Sequence, residues 1–246
     1  MDYNDYRDGY WLGANGAWNE KYYGGRWRKN SHGWWYEDAS GWNPVNQWLW
    51  INGVKYWFGS DGYLDEEKWA LILVNQNNPV PDNYSVNLTT LSNGKRIDSR
   101  IYSPLQEMFS AARASGLDMY VREGYRTRAE QQSIMDSRIQ QYVSQGYSYS
   151  EAVQLARQYV AIPGRSEHEL GICVDINATY DSYSDDVYAW LDSNAYKYGF
   201  IKRYPQNKSH ITGISYEPWH YRYVGRSAAA EMYRTGMCLE EYLACQ

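Results

Sequence analysis

The pattern of apolar and polar positions changes near residue 70. Before that point, short aromatic runs alternate with turn residues, and Asn52-Gly53 and Asp61-Gly62 stand between strand-like runs. Asn-Gly and Asp-Gly in such positions are typical of β-hairpins. Because this region has few aliphatic residues, stacked aromatic rings must supply its burial. We therefore predict an all-β module of aromatic hairpin repeats over residues 1–69.

The remaining chain, 70–246, has the periodicities of mixed helices and strands. The apolar run 71–74, LILV, predicts a buried strand. A capping box at Ser148 and Glu151 predicts a helix start, and Gly199 predicts the end of a later helix. These signals indicate a second domain with an ordinary aliphatic core.

Composition supports the same division. Ten of the 12 tryptophans precede Ala70, and only Trp190 and Trp219 follow it. The formal net charge of −5 argues against a phosphate-binding surface, so we expect no nucleic-acid partner. No apolar run reaches the length of a membrane span.

The three cysteines are too few for a disulfide framework. Cys238 and Cys245 could pair in an oxidising compartment, and the sequence leaves this open. Cys173 is expected to be a buried free thiol that behaves as a small apolar residue.

The segment 164–175, GRSEHELGICVD, begins like a helical zinc motif but does not continue as one. That motif needs a second histidine four residues after the first, and Ile172 stands there. Gly171 and the β-branched residues favour a turn that runs into a strand. The turn would let His168 and Asp175, seven residues apart, reach one point. Such a pair can supply two of the three protein ligands of a catalytic zinc.

The third ligand must come from one of three other histidines. His32 lies in the aromatic region, His210 lies in a polar loop, and His220 lies in the segment EPWHYRYV. Glu217 precedes His220 by three residues, and Pro218 biases it towards an extended conformation. A carboxylate beside a zinc ligand meets the requirement for a general base. On residue types alone, a structural His–Asp pair remains the alternative.

Three blocks together resemble one family of zinc peptidases. They are Ser-x-His-x-x-Gly-x-x-x-Asp at 166–175, Glu-Pro-Trp-His at 217–220 and Gly-Tyr-Arg-Thr at 124–127. Their order and spacing, from about 71 to 224, are similar to those of the VanY-like D-Ala-D-Ala carboxypeptidases. The resemblance implies an α+β fold of the LAS type, with a small antiparallel sheet and flanking helices. It also implies Zn²⁺-dependent hydrolysis of the C-terminal D-alanine amide of peptidoglycan stem peptides.

The same resemblance implies a role for each matched residue. The zinc ligands would be His168, Asp175 and His220. Glu217 would take a proton from the attacking water and pass one to the leaving amine, and Arg126 would face the developing oxyanion. The residues that hold the peptide would be Ser166, Gln131 and Trp219. A turn cap for Ser166 and core packing for Trp219 are the structural alternatives.

Two positions depart from the family's pattern. Cys173 stands where alanine is usual, a small-for-small change unless the thiolate reaches the metal. Glu169 stands where a neutral glutamine is frequent, and we expect it to be a solvated surface residue.

Other functions stay open at this point. An L,D-carboxypeptidase or a peptidoglycan endopeptidase would use the same zinc site, because pocket depth cannot be read from sequence. From other classes, the chain could be a non-catalytic wall-binding protein, or a glycosidase that uses the acidic cluster Asp181, Asp185 and Asp186. The cluster is more simply explained as acidic residues at a helix start.

The aromatic region resembles the cell-wall-binding repeats of bacterial surface proteins, of the choline- and glucan-binding type, best over 33–69. The resemblance implies binding of a wall polymer or a choline- or glucan-like ligand, through Trp34, Trp35, Trp42, Trp48 and Tyr56. Mutual packing of these rings is the alternative. Both resemblances imply an extracellular protein at the bacterial wall. Because no signal peptide is present, we expect this sequence to be part of a longer chain.

Overall fold

The chain divides into two compact units, Met1–Trp69 and Ala70–Gln246. The boundary falls where the tryptophan-rich sequence ends. The structure is a computed structural model that describes residues 4–13, 17–18, 23–45, 47–52, 54–59, 61–65, 68–82 and 84–245.

The first unit is built from short β-strands. They are β1 (Asp5–Arg7), β2 (Tyr10–Leu12), β3 (Arg26–Lys29), β4 (Trp34–Glu37), β5 (Gln47–Ile51) and β6 (Val54–Phe58). Antiparallel pairs form between β1 and β2, β3 and β4, and β5 and β6. β1 also pairs in parallel with β5, which gives a four-stranded sheet in the order β2-β1-β5-β6. The prediction of an aromatic β region is confirmed.

Two-residue connections close two of these hairpins. Asn52 follows β5 with φ 52°, a left-handed conformation that asparagine tolerates, while Gly53 lies outside the described residues. Between β1 and β2, Asp8 has φ 49° and Gly9 has φ 84°. Positive φ at both positions is the requirement of a type I′ hairpin turn, and this Asp-Gly pair was missed in the sequence.

Aromatic rings make up much of the core of the first unit. The rings of Tyr6 and Tyr36 meet edge to face, with centroids 5.2 Å apart. Trp27 stacks on Phe58 at 5.8 Å. Such pairs contribute about 0.5–1.5 kcal/mol each beyond the burial of their area. The buried cluster of this core consists of Tyr6, Tyr36, Leu49, Ile51 and Phe58.

The second unit combines helices with an antiparallel sheet. Its elements are β7 (Leu88–Thr90), β8 (Arg96–Asp98), α1 (Tyr102–Ala114), β9 (Met119–Glu123), α2 (Arg128–Ser144), α3 (Tyr149–Ala156), β10 (Cys173–Ala178), α4 (Ser184–Asn194), β11 (Phe200–Tyr204), α5 (Ser209–Thr212), β12 (Glu217–Tyr223), α6 (Arg226–Thr235) and α7 (Leu239–Ala244). Four strands pair antiparallel in the order β11-β12-β10-β9, and β7 and β8 form a separate hairpin. The predicted α+β fold is confirmed.

The helices begin and end at the signals that the sequence carries. Ser148 and Glu151 form the predicted capping box of α3, and Thr127 and Glu130 form a second one at α2. The predicted stop at Gly199 follows a short 3-10 turn after α4, with φ 86°. Within the part of the chain that the structure describes, no helix has the length and apolar character needed to cross a membrane.

The predicted strand at 71–74 is wrong. Its backbone is irregular, although Val74 is fully buried. The guanidinium of Arg222 donates to the carbonyls of Ala70 and Ile72 at 2.7 and 2.9 Å. A buried side chain, rather than a neighbouring strand, therefore satisfies part of this backbone, and periodicity cannot reveal that.

All three cysteines are free thiols. Cys173 and Cys238 are buried and Cys245 is exposed. The possible disulfide between Cys238 and Cys245 is therefore not formed.

Candidate active site

All of the predicted peptidase residues line one cavity of the second unit. It has a volume of about 270 Å³. The predicted residues in its lining are Arg126, Gln131, Ser166, His168, Asp175, Glu217, Trp219 and His220. Because they come from widely separated parts of the sequence, only the folded chain brings them together.

A tight turn brings His168 close to Asp175. His168 lies in the 3-10 turn Glu167–Leu170, and Asp175 lies on β10. Gly171 ends the turn with φ 72°, where a β-carbon would also stand 2.9 Å from Val86. His168 Nε2 is 3.5 Å from an Asp175 oxygen. The predicted turn running into a strand is confirmed.

An irregularity in β12 turns two more side chains towards the cavity. Glu217 and His220 are three residues apart, so a regular strand would direct them to opposite faces. Lys202 of β11 pairs with Tyr221 of β12, and Tyr204 pairs with Glu217. The chain therefore advances four residues on β12 but only two on β11 between these pairs, which marks a β-bulge in β12. Bulges of this kind redirect side chains. As a result, Glu217 Oε2 lies 3.9 Å from His220 Nδ1.

The Gly-Tyr-Arg-Thr block orients His168. The carbonyl of Gly124 lies 2.7 Å from His168 Nδ1. Because a carbonyl can only accept, Nδ1 carries the proton and Nε2 keeps its lone pair for a metal. The backbone N–H of Arg126 donates to the carbonyl of His168 at 3.1 Å.

Asp175 stands at the centre of the polar cluster. Its Oδ1 is 2.9 Å from His220 Nδ1, and its Oδ2 is 3.5 Å from Arg126. Burial would raise the pKa of Asp175, but the imidazoles of His168 and His220 outweigh burial and hold the pKa far below its usual range. Two imidazoles and an ionised carboxylate are a donor set that fits zinc.

The electrostatics of Glu217 differ from those of Asp175. Glu217 is 8% exposed, and burial raises the pKa of its carboxyl to about 7, although His220 opposes the shift. A carboxyl with this pKa can both accept and return a proton near neutral pH.

Arg126 is held in place from two sides. Its guanidinium donates to the Gln131 carbonyl oxygen at 2.9 Å and faces Asp175. Gln131 is 1% exposed, and its amide nitrogen donates to the carbonyl of Ala161 at 2.8 Å. Because both ends of the Gln131 amide are engaged, the geometry favours a role in positioning Arg126 over direct contact with a peptide.

The other two predicted substrate residues differ in accessibility. Ser166 is 2% exposed at the start of the His168 turn, whereas Trp219 is 36% exposed. Both line the cavity. Trp219 therefore offers a ring surface at the more open part of the wall.

The expectation that Glu169 is a solvated surface residue is wrong. Its side chain is buried, and Oε1 accepts the backbone N–H of Gly164 at 2.6 Å. Its other oxygen pairs with Arg128 at 3.3 Å. Glu169 therefore fixes the turn that carries His168.

Glu167 lies behind His220 and is not among the residues predicted from the sequence. Its Oε2 is 3.6 Å from His220 Nε2, and its Oε1 is 2.8 Å from Arg203 and 2.9 Å from Arg222. Burial would raise the pKa of Glu167, but the two guanidiniums hold the pKa far below its usual range. A carboxylate behind a ligating histidine orients the ring and raises its basicity. The only signal in the sequence was its position next to His168.

Arg138 also lines the cavity and was missed. It lies on α2, seven residues after Gln131, and is half-buried. Residues seven apart share a helix face, so this spacing was the available signal.

The five aromatic residues predicted to bind a wall ligand differ in exposure. Trp34 is 38% exposed and Trp48 is 43% exposed. Trp35 is half-buried, and Trp42 and Tyr56 pack against the buried aromatic cluster. Of the five, Trp34 and Trp48 offer the most accessible ring surface.

Comparison with known proteins identifies relatives of the second unit. The family model described as VanY, D-alanyl-D-alanine carboxypeptidase, matches residues 94–226. A D-alanyl-D-alanine carboxypeptidase of Enterococcus faecalis is 54% identical over 180 residues, which cover 73% of this chain and 67% of that protein.

Two solved structures are similar in fold. A mutant of the vancomycin-resistance D,D-pentapeptidase VanY, in complex with Zn(II), has a TM-score of 0.70 and 55% identity, with 71% of this chain and 99% of that chain covered. VanYB in complex with D-alanine-D-alanine has a TM-score of 0.71 and 54% identity, with 72% and 98% covered.

The antiparallel sheet with flanking helices, together with these similarities, defines a zinc peptidase of the LAS type. The matched region contains every predicted peptidase residue. The chain belongs to the VanY D-alanyl-D-alanine carboxypeptidase family.

Proposed function

We propose that this protein is a zinc-dependent D,D-carboxypeptidase that removes the terminal D-alanine from peptidoglycan stem peptides. The observation that carries the proposal is the cavity in which the buried carboxyl of Glu217 lies beside His168, Asp175 and His220. It is supported by family membership and by relatives whose structures contain Zn(II) or D-alanine-D-alanine.

The donors that would hold Zn²⁺ are His168 Nε2, the Asp175 carboxylate and His220 Nδ1. They fit the ion, because they are buried and combine two imidazoles with one carboxylate. When bound, zinc acts as a Lewis acid and makes water a nucleophile at neutral pH. The proton transfers and the orientation of the substrate depend on side chains of the chain itself.

Glu217 is proposed to transfer a proton from the attacking water to the departing amine. Its carboxylate takes a proton from the water that adds to the scissile carbonyl carbon. When the C–N bond breaks, Glu217 returns that proton to the departing amine. The products are D-alanine and a stem peptide shortened by one residue. Burial raises the pKa of the Glu217 carboxyl above its usual value, which suits a group that must hold the proton between the two transfers.

Arg126 is proposed to stabilise the oxyanion. Gln131 and Asp175 fix its guanidinium before substrate arrives, so little reorganisation is needed in the transition state. Preorganised donors of this kind lower the activation barrier by about 2.7–4 kcal/mol. Ser166 and Trp219 are proposed to contact the peptide terminus.

A Glu217→Gln variant tests this function. The wild-type enzyme should release one D-alanine from each soluble pentapeptide, and the variant should lose about 10²- to 10⁴-fold in turnover, as expected for loss of a general base. Metal analysis should show the same zinc content in both proteins. The matched control is Glu107→Gln, an exposed glutamate on α1, which should retain full activity. Turnover of Glu217→Gln within tenfold of the wild type would contradict the assignment.

The first unit is proposed to anchor the enzyme to the cell wall, outside the cell. Its exposed Trp34 and Trp48 suit stacking on sugar rings. Lys29 already places its ammonium 4.9 Å from the centre of the Trp34 ring, which favours a saccharide over a choline-like cation at that ring. Tethering would raise the effective concentration of the stem peptide without any new catalytic contact.

A further inference from the structure

Cys173 is buried beside the two histidines of the candidate zinc site. Its sulfur and a ring nitrogen from each of His168 and His220 all lie within 4.8 Å of one another. The Cys173 side chain is fully buried. A thiol at this depth is a potential ligand as well as a packing residue.

The strand geometry explains why Cys173 faces this point. Cys173 and Asp175 are two residues apart on β10, so their side chains leave the strand on the same face. The antiparallel pairing of β10 with β12 places Asp175 opposite His220 and Cys173 opposite Arg222. Cys173 is therefore the diagonal neighbour of His220 on the side away from the Glu217 turn.

We propose that Cys173 is a sulfur donor to the zinc ion, sharing both histidines with Asp175. This inference rests on the zinc site of the proposed function. Zinc binds imidazole nitrogen at about 2.0–2.1 Å and thiolate sulfur at about 2.3 Å, so tetrahedral donors stand roughly 3.5 Å apart, and the three donors need to approach one another by up to roughly 1.5 Å. Rotation of one buried side chain can supply such a movement.

Coordination by Cys173 requires loss of its thiol proton. The S–H bond of Cys173 breaks, a Zn–S bond forms, and the proton passes to solvent. Thiolate is a softer donor than carboxylate, so it strengthens binding of zinc and of softer ions. Cys173 is therefore expected to increase metal retention.

Cobalt substitution tests the inference on the chain of 246 residues. A thiolate bound to Co²⁺ gives an intense near-ultraviolet charge-transfer band, which nitrogen and oxygen ligands do not give. The wild-type protein should show this band, and Cys173→Ala and Cys173→Ser should lack it. The Cys238→Ala/Cys245→Ala double variant retains Cys173 as its one thiol, and it should keep the band in full. This double variant tests the inference even if substitution of Cys173 prevents folding.

Zinc competition with a chelator gives an independent measurement. Loss of a direct donor should weaken zinc binding by at least the tenfold that loss of a second-shell partner costs. Absence of the cobalt band in the wild type, or its persistence in Cys173→Ala, would overturn the inference. D-Alanine release measured in parallel separates the two proposals. Release without the band contradicts the sulfur donor alone, whereas the band without release contradicts the proposed function alone.

Discussion

The two units of the protein bury different kinds of side chain. The core of the first unit contains aromatic rings such as Tyr6 and Tyr36, in edge-to-face contact. In the second unit, charged groups lie buried behind the metal site. They are Glu167, Arg203 and Arg222, joined by ion pairs of 2.8–2.9 Å, and Arg203 also pairs with the partly buried Glu240 at 2.7 Å.

This difference reflects what each unit has to hold in place. Ring contacts tolerate centroid distances of about 4.5–7 Å, and a module of packed rings can leave some faces exposed for a ligand. A metal site instead needs its donors fixed to within about 0.5 Å. Directional ion pairs behind His220 provide such a restraint, at the cost of burying charge.

The largest expected effect comes from breaking the buried charge cluster with Glu167→Gln. This change leaves the guanidiniums of Arg203 and Arg222 with less compensation in a buried site. We expect the second unit to lose about 3–5 kcal/mol of stability. Zinc affinity should fall by about 10- to 100-fold, because His220 loses its orienting carboxylate. Denaturant unfolding and zinc competition measure the two effects.

The exposed pair between Glu107 and Arg226 supplies the matched control. Its atoms are 2.6 Å apart, but both side chains are about half exposed. Glu107→Gln should therefore cost no more than about 1 kcal/mol and leave zinc affinity unchanged. Equal effects of Glu167→Gln and Glu107→Gln would show that burial of the cluster is unimportant.

Catalysis in the second unit should depend on pH, whereas wall binding by the first unit should not follow the same pH dependence. Glu217 must be ionised to accept a proton, and burial raises its pKa to about 7 in the metal-free protein. Bound zinc adds positive charge and lowers this pKa, so kcat/KM should fall about tenfold per pH unit below a midpoint between about pH 5 and 7. Glu217→Gln should lack this acidic limb. A wild-type profile flat from pH 5 to 8 would contradict the role of Glu217.

Wall retention depends on stacking and is not expected to follow the same curve.

The smallest effect is expected for Trp48→Ala in the first unit. Loss of one exposed ring should weaken retention on purified cell walls by about 0.5–1.5 kcal/mol, or up to roughly tenfold. Turnover of a soluble pentapeptide should not change. Val45→Ala removes an exposed aliphatic side chain from the same unit and serves as the control. Cosedimentation with walls distinguishes the variants, and equal retention of all three proteins would argue against stacking at Trp48.

Local signals in the sequence predicted local structure well. The capping box at Ser148, the glycine stop at Gly199 and the turn before Asp175 are all present. Each depends on neighbouring residues alone. The arrangement of His168 and Asp175 followed from the same local argument, because Gly171 ends the turn between them.

The missed features depend on contacts between distant residues. The strand predicted at 71–74 is absent because Arg222 satisfies neighbouring carbonyls. Parallel pairing of β1 with β5 and the bulge that redirects Glu217 likewise require the folded chain. Glu167 was missed because its partners, Arg203 and Arg222, follow it by more than 30 residues.

The most direct test of the central claim is product analysis by mass spectrometry. The zinc-loaded protein is incubated with purified pentapeptide, tetrapeptide and cross-linked muropeptides. We predict that one alanine is lost from the pentapeptide and that the other substrates stay intact. Loss of alanine from the tetrapeptide alone would instead indicate an L,D-carboxypeptidase, and cleavage of the cross-linked substrate alone would indicate an endopeptidase. Either result would contradict the D,D-carboxypeptidase assignment, as would the absence of any product.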